Sequence, residues 1–339
     1  MMTRLKQAEP HLFERAISGR GLATDDAGLE LVRGLHNLRP EHLGCVATIG
    51  NFDGLHRGHA TVIAQLHEVA ARHDLPVAVI LFEPQPQEYF AGERAPARLM
   101  RLHDKLEGLR ELGVNRVLCL RFGDALAALS ADRFIDRVLV SGLGVKHLVV
   151  GDDFRFGKGR AGDFHLLERE GQRLGFTVEH MHTFELDGER VSSTRVRKAL
   201  ARGDYAEARR LLGRPYAITG RVTHGSKLGR TIGFPTANVP MRRNVSAVTG
   251  IFAVRLYGEG VDEGHPGVAY VGRRPTVHGI DERLEVHLFD FDGDLYGRRI
   301  RADLLAHLRD DRRFDNIDDL AAQIQRDAEA ARAYFENAS

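Results

Sequence analysis

The chain is poor in cysteine, in long apolar runs and in net charge, and each shortage excludes a class of protein. Two cysteines in 339 residues, Cys45 and Cys119, both inside apolar strand-like runs, make no disulfide framework. They read as reduced core residues of a cytoplasmic protein. The longest apolar run, Leu75–Phe82, is far shorter than the ~18 residues a membrane span needs. The N-terminal stretch has no secretory apolar core, and Glu9, Glu14, Asp25 and Asp26 oppose a transit peptide. Lys and Arg (48) nearly balance Asp and Glu (47), so the formal net charge is +1. That balance argues against a nucleic-acid scaffold or a polybasic membrane patch. Small molecules are the expected partners, with no nucleic acid and no membrane, and the chain is expected to be a monomer or weak homo-oligomer. Repeats and low-complexity segments are also missing.

What is present is a globular composition, 43% hydrophobic and 28% charged, long enough for two cores. Residues 1–29 read as a flexible extension with no assigned function. From about Leu31 to Gly203, strand-like and helix-like segments alternate. Gly44–Ile49, Val77–Phe82, Arg116–Leu120, His147–Val150 and Phe176–Met181 read as strands. Gly58–Asp74 repeats Val62, Leu66 and Val69 at helical spacing and stops before Pro76. Arg98–Leu112 repeats Leu99, Leu102, Leu106, Leu109 and Leu112, and Phe134–Val140 is a further helix. The alternation predicts a parallel sheet with crossover helices. After Gly213 come short β-rich runs between Gly/Pro turns: Tyr216–Val222, Gly250–Leu256, Gly267–Val271 and Leu284–Phe291. They predict a small antiparallel barrel or sandwich. Ile317, Leu320, Ile324, Ala331 and Phe335 share one face of a terminal helix capped by Asn316.

The first chemical signal is "GNFDGLHRGH" (50–59), between the first strand and its helix, at the carboxyl edge where parallel sheets bind ligands. Gly50 and Gly54 let backbone approach a ligand closely. His56 and His59, three apart, can face one way at a helix start, where dipole and free N–H groups favour an anion. A metal site lacks partners at ligand spacing. A glycine turn with surface histidines is the plain alternative; a triphosphate cradle, with imidazoles stabilising charge in transfer, fits better. In "VSSTRVRKAL" (191–200), Ser192, Ser193 and Thr194 are hydroxyls at a helix start with Arg195 and Arg197 just inside, a second anion site or else a capped surface helix.

"HGSKLGRTIGFPTANV" (224–239) spaces Gly225, Gly229 and Gly233 four apart, as a loop folded over phosphates would. Thr236 and Asn238 point the same way in an extended segment, and their oxygens are hard ligands suited to magnesium shared with ATP. "LEVHLFDFDGDLYG" (284–297) buries Leu284, Val286 and Leu288 on one strand face and puts Glu285 and His287 on the other. Glu285 is either a base for phosphoryl transfer or part of an exposed charged face. Three look-alikes fail. Gly157–Gly162 fits G-x-G-x-x-G but opens no βαβ turn. Asp290, Asp292 and Asp294 lack the glycine and final acid of a calcium loop. Asn244-Val245-Ser246 matches a glycosylation sequon in a chain without a secretion signal.

Taken together, G-x-F-D-G-x-H-x-G-H, "GDDFRFGKGRAGD" (151–163), "VSSTRVRKAL", G-x-x-x-G-x-x-x-G-F-P-T-A-N and E-x-H resemble the bacterial bifunctional riboflavin kinase/FAD synthetases over about residues 31 to 336. The resemblance implies a Rossmann-like HxGH nucleotidyltransferase domain (30–205) and a riboflavin kinase barrel with a terminal helix (211–336). The implied reactions are ATP-dependent phosphorylation of riboflavin to FMN, then adenylylation of FMN to FAD with release of pyrophosphate. ATP is the co-substrate and Mg2+ the cofactor. For adenylyl transfer it implies His56 and His59 as catalytic residues, with Gly50, Phe52, Asp53, Gly54, Asp153, Ser193, Thr194 and Arg197 around ATP. For the kinase it implies Glu285 as base, Gly225, Lys227, Gly229 and Gly233 at the phosphates, and Thr236 and Asn238 at the metal. The chain departs from the common pattern at Gln85, where many relatives have histidine, and at Asp153, where many have asparagine. Two other functions would leave different marks. A riboflavin kinase whose N-terminal domain acts on another nucleotide would accumulate FMN, and a non-catalytic flavin-binding regulator would have lost Glu285, Thr236 or Asn238.

Overall fold

The computed structural model describes residues 28–225, 233–241, 245–276 and 279–337. Lys227 and Gly229 lie outside the described residues, as do Asn244 of the sequon and nearly all of the N-terminal extension. The chain divides into two compact units: residues 1–96 with 101–192, and residues 97–100 with 193–339.

The first unit is built on a six-stranded sheet in the order β1-β4-β3-β2-β5-β6. Its strands are β1 (Glu30–Arg33), β2 (Cys45–Ile49), β3 (Val77–Glu83), β4 (Arg116–Arg121), β5 (Val145–Val150) and β6 (Thr177–His180), all in parallel pairs. Every residue of β2 and Val77–Leu81 of β3 are buried, as a parallel sheet covered on both faces requires. The crossover helices are α1 (Arg57–His73) after β2, α2 (Pro86–Ala91) and α3 (Leu102–Glu111) after β3, and α4 (Phe164–Leu174) after β5. A short hairpin of β7 (Glu185–Leu186) and β8 (Glu189–Arg190) follows the sheet. One core gathers Ile49, Ile80, Leu118, Leu139 and Leu148. From β2 the chain winds outward through β3 and β4 on one side and, later, β5 and β6 on the other. The β2/β5 edge is therefore the topological switch point of the sheet.

Two details differ from expectation. Residues 98–101 are not part of a helix: α3 begins at Leu102, and Leu99 is buried within the second unit, its carbonyl accepting from the Tyr216 hydroxyl. The stretch Phe134–Val140 is helical, but its last six residues, Ile135–Val140, form π-helix.

The second unit is a six-stranded antiparallel sheet in the order β10-β13-β12-β11-β14-β9. Its strands are β9 (Tyr216–Arg221), β10 (Ala237–Pro240), β11 (Gly250–Gly258), β12 (Val261–Thr276), β13 (Gly279–Leu288) and β14 (Arg299–Arg309). A bridge from Thr223 to Asn238, with Thr223 N–H donating to the Asn238 carbonyl at 2.8 Å, nearly closes it into a barrel. Before the barrel run α5 (Ser193–Ala201) and α6 (Tyr205–Leu212). After it, α7 (Ile317–Asn337) is capped by Asn316, whose side chain accepts from Asp319 N–H at 2.8 Å. Ala328 and Ala331 of α7 pack with Ile251, Ala253, Val268 and Phe289, while Ile317 is 48% exposed and leaves the apolar face. Arg309 fixes α7 to β14 through a two-point ion pair with buried Asp327. No helix among the described residues is long and apolar enough to cross a membrane.

Both cysteines are free and buried. Burial pushes the Cys45 thiol up to about 12 and the Cys119 thiol upward as well. Native protein at pH 8 is therefore expected to resist iodoacetamide and to take up two equivalents in denaturant, as read by intact mass. Native alkylation of Cys45 would contradict this core.

Candidate active sites

In the first unit the turn from β2 into α1 brings Gly50, Phe52, Asp53, Gly54, His56 and His59 together at the switch point, where open α/β sheets bind ligands. Its backbone is unusual: Phe52, Gly54 and Leu55 have φ of 48°, 88° and 42°. A Cβ on Gly50 would lie 3.0 Å from the Phe52 ring, so a side chain there would push that ring aside. His56 caps α1, its Nδ1 accepting from His59 N–H at 3.3 Å. The two imidazoles stack with centroids 3.6 Å apart, and Phe52 lies 4.8 Å from the His59 ring. Gly58 allows this, since a Cβ would stand 3.2 Å from both the His56 ring and the Val191 carbonyl. Asp53, at 1% exposure, is among the most buried acids described. A helix start with glycine-relaxed backbone and paired imidazoles is an arrangement that can take an anion.

Asp153 follows β5 at the same sheet edge, exposed and 3.6 Å from Arg190. Gln85, the departure noted above, is 4% exposed and caps the short helix α2. Ser193, Thr194 and Arg197 lie on α5, which groups with the second unit. There Arg195 pairs with Glu207 at 2.6 Å, and Arg197 Nε donates to the Ala97 carbonyl at 2.6 Å. The structure thus distributes the residues assigned to adenylyl transfer over both compact units.

In the second unit, β10 pairs with β13 so that Asn238 stands directly opposite Glu285. On the other side of β13, Tyr270 of β12 is opposite the same Glu285. Directly opposed residues share a sheet face, so Asn238, Glu285 and Tyr270 form one row. The burial of β13 alternates as expected, with Leu284, Val286 and Leu288 inside and Glu285 and His287 half-buried. The ring of His287 is used for anchoring, since its Nδ1 is 2.9 Å from the Pro235 carbonyl and so fixes the chain just before Thr236. Asn238 Nδ2 donates to the Thr236 carbonyl at 3.1 Å and lies 3.2 Å from Thr236 Oγ1. Gly225 packs on the carboxamide so closely that a Cβ would stand 2.6 Å from Nδ2. The missing side chain leaves room for the buried carboxamide, whose nitrogen faces Thr236, and the hydroxyl and carboxamide oxygens of the two residues are hard donors of the kind magnesium takes. Gly233, with φ of 84° and open space around its Cα, begins the chain leading into Pro235.

Beside Thr236 lies a cavity of about 440 Å³ with an apolar floor of Val222, Val286 and Leu288 and a wall formed by the loop Phe291–Tyr296. Tyr296 closes toward it with its ring 4.1 Å from that of His224. The size and lining suit a planar ring joined to a polar tail. Tyr270 and Tyr296 were not visible as site residues in the sequence. Their places follow from register and loop closure, though the D-L-Y-G run after E-x-H was a usable cue for Tyr296. Of the calcium-like acids, Asp292 and Asp294 belong to the cavity wall, while a two-point hydrogen-bonded pair with Arg332 holds Asp290 below the usual carboxylate range. Among the described residues, one group of His and acids has ligand atoms close enough for a metal, His103, Asp104 and Glu107 on α3. Asp104 there pairs with Arg101 and His103 with Glu107, which are ordinary helix ion pairs.

A parallel α/β unit with a glycine- and histidine-rich turn and an antiparallel barrel with a Glu–Asn row define a nucleotide-handling transferase. Residues 38–195 match the family model described as FAD synthetase, and residues 212–335 that of riboflavin kinase. The bifunctional riboflavin kinase/FMN adenylyltransferase of Escherichia coli K12 is 54% identical over 91% of this chain and 98% of its own length. That of Haemophilus influenzae is 48% identical over 91% and 99%. A solved structure, that of a macrolide-efflux protein from Streptococcus pneumoniae, superposes with a TM-score of 0.74 at 28% identity, covering 90% of this chain and 98% of that one. This chain belongs to the bifunctional riboflavin kinase/FMN adenylyltransferase family. It makes FMN from riboflavin and FAD from FMN, with ATP as the co-substrate of both reactions.

Because Gly225 has no room for a side chain against Asn238, Gly225→Ala should displace the carboxamide. The expected result is a loss of about tenfold or more in FMN formation, in line with the cost of misplacing a reacting group. Adenylyl transfer from supplied FMN should stay at the wild-type rate when the two steps are assayed separately by chromatography.

Proposed function

We propose that the kinase reaction runs on the row formed by Asn238, Glu285 and the neighbouring Thr236. The observation that carries this reading is the β10/β13 register, which sets Glu285 opposite Asn238. Glu285 accepts the proton of riboflavin's terminal ribityl hydroxyl as that oxygen attacks the γ-phosphorus of ATP and the bond to the β-phosphate breaks. Thr236 and Asn238 would hold Mg2+, which when bound would neutralise phosphate charge. Gly225, Lys227, Gly229 and Gly233 line the phosphates, and the cavity beside Thr236 takes the adenine ring.

Adenylyl transfer needs no base, since the nucleophile is the FMN phosphate, already ionised near neutral pH. Its oxygen attacks the α-phosphorus of ATP, and the bond to the β-phosphate breaks to release pyrophosphate. The demands are alignment and charge stabilisation. His56 and His59 supply the second, Gly50, Phe52, Asp53 and Gly54 shape the turn, and Asp153, Ser193, Thr194 and Arg197 complete the nucleotide contacts. The two activities are proposed to occupy residues 30–205 and 211–336, a division supported by the spans of the family matches. Two buried free thiols support a reducing cytoplasm, and the near-zero net charge supports small molecules as sole partners of a monomer or weak homo-oligomer.

Purified protein given riboflavin, ATP and Mg2+ tests these roles. Glu285→Gln should lower FMN formation by about a hundredfold or more, the range of general-base catalysis, and still convert supplied FMN to FAD. A combined His56→Ala and His59→Ala variant should stop at FMN. If Glu285→Gln phosphorylates riboflavin normally, Glu285 is not the base.

A further inference from the structure

One fully buried lysine of the first unit belongs to no role assigned above. Lys105 lies in the middle of α3 at 1% exposure, and Lys is almost never fully buried unless its head is satisfied. Its Nζ donates to the Asn51 carbonyl at 2.5 Å. Asn51 opens the left-handed turn that carries Phe52, Gly54 and Leu55. One helical turn beyond Lys105, Gly108 faces that turn's other end, where a Cβ would collide with the Leu55 side chain. The helix α3 therefore grips residues 51 to 55 at two points, by a hydrogen bond at one end and a close apolar approach at the other.

The peptide geometry makes the first point consequential. In a trans peptide the carbonyl of one residue and the N–H of the next point in opposite directions. With the Asn51 carbonyl turned toward Lys105, the Phe52 N–H is turned away from α3. Non-glycine residues at positive φ persist only where their surroundings over-determine them, and such strain gathers at working sites.

We propose that Lys105 is a positioning residue for adenylyl transfer: by holding the Asn51 carbonyl it fixes the strained turn that presents backbone N–H groups and His56 to the phosphates of ATP. This rests on reading the His56–His59 turn as the adenylyl-transfer site. Lys105→Met removes the donor at similar length, and Lys105→Gln keeps a polar head too short to reach Asn51. Both are assayed for adenylyl transfer and for kinase activity, with hydrogen exchange followed across residues 45–56 and 77–83. The expected result is an adenylyl-transfer kcat lower by about tenfold or more, with KM for ATP changed less. Kinase kcat should stay within about twofold, and exchange should rise in residues 50–56 while β2 and β3 stay protected. Wild-type adenylyl-transfer kcat in either variant overturns the proposal. So does loss of protection through β2 and β3, which would make Lys105 a general core support. The His56/His59 double variant separates the two claims. If it abolishes adenylyl transfer while the Lys105 variants do not, only the role of Lys105 fails; if it leaves transfer intact, the site reading itself fails.

Discussion

The first unit's chemistry depends on a turn whose backbone is held against its own preference. Phe52 and Leu55 sit at positive φ, a conformation that costs a non-glycine residue about 1–3 kcal/mol. Glycine would relieve that cost, and Gly54 does so between them, but the two side chains serve another purpose. Both are buried, Phe52 against the His59 ring and Leu55 against α3, so apolar burial offsets the strain. The sharp bend is what lets α1 begin at His56 with its first N–H groups at the switch point of the sheet. A relaxed turn would start the helix elsewhere and separate the imidazoles from the helix end.

The second unit solves a similar problem through register. Asn238, Glu285 and Tyr270 fall in one row because antiparallel pairing puts them there, and the ladder that sets the row also builds the barrel. A slip of one residue would turn the whole set to the other face and bury Glu285 among apolar neighbours, so the core enforces the alignment. The finer adjustments are local. His287 anchors Pro235, Gly225 makes room at Asn238, and the Thr223 bridge to Asn238 closes the barrel beside the site.

Legibility in the sequence followed range. Short motifs whose meaning lies in local backbone could be read: glycines and histidines at a strand-to-helix turn, period-two alternation through Glu285, an asparagine cap before Ile317. What depended on distant pairing could not. Arg299–Arg309 carries leucines and alanines that favour a helix, yet it is strand β14 because β9 and β11 both offer it ladder partners. The leucine repeat through 99–112 ran continuously in sequence, but Leu99 is recruited by the second unit and only the remainder is helical. Tyr205–Leu212 carries local signals, an aspartate cap at Asp204 and a left-handed glycine at Gly213, but its two turns are too short for the apolar period to stand out. Tyr270 needed the register to be known. A lysine at the centre of a polar helix reads as solvent-facing, so the burial of Lys105 had no sequence signature at all.

The contrast between strain and register bears on how two activities coexist in one chain. A site set by register inherits the stability of its sheet, so the alignment of its row lasts as long as the barrel does. A site set by strain needs support from outside itself, and here α3, separated from the turn by nearly fifty residues of sequence, presses on both its ends. On the proposed assignments, changes on the inward face of α3 would reach adenylyl transfer without touching a ligand, while the kinase row is held by the hydrogen bonds of its own ladder. The proposed kinase row thus leans on its own ladder, and the proposed adenylyl-transfer turn leans on a helix remote in sequence.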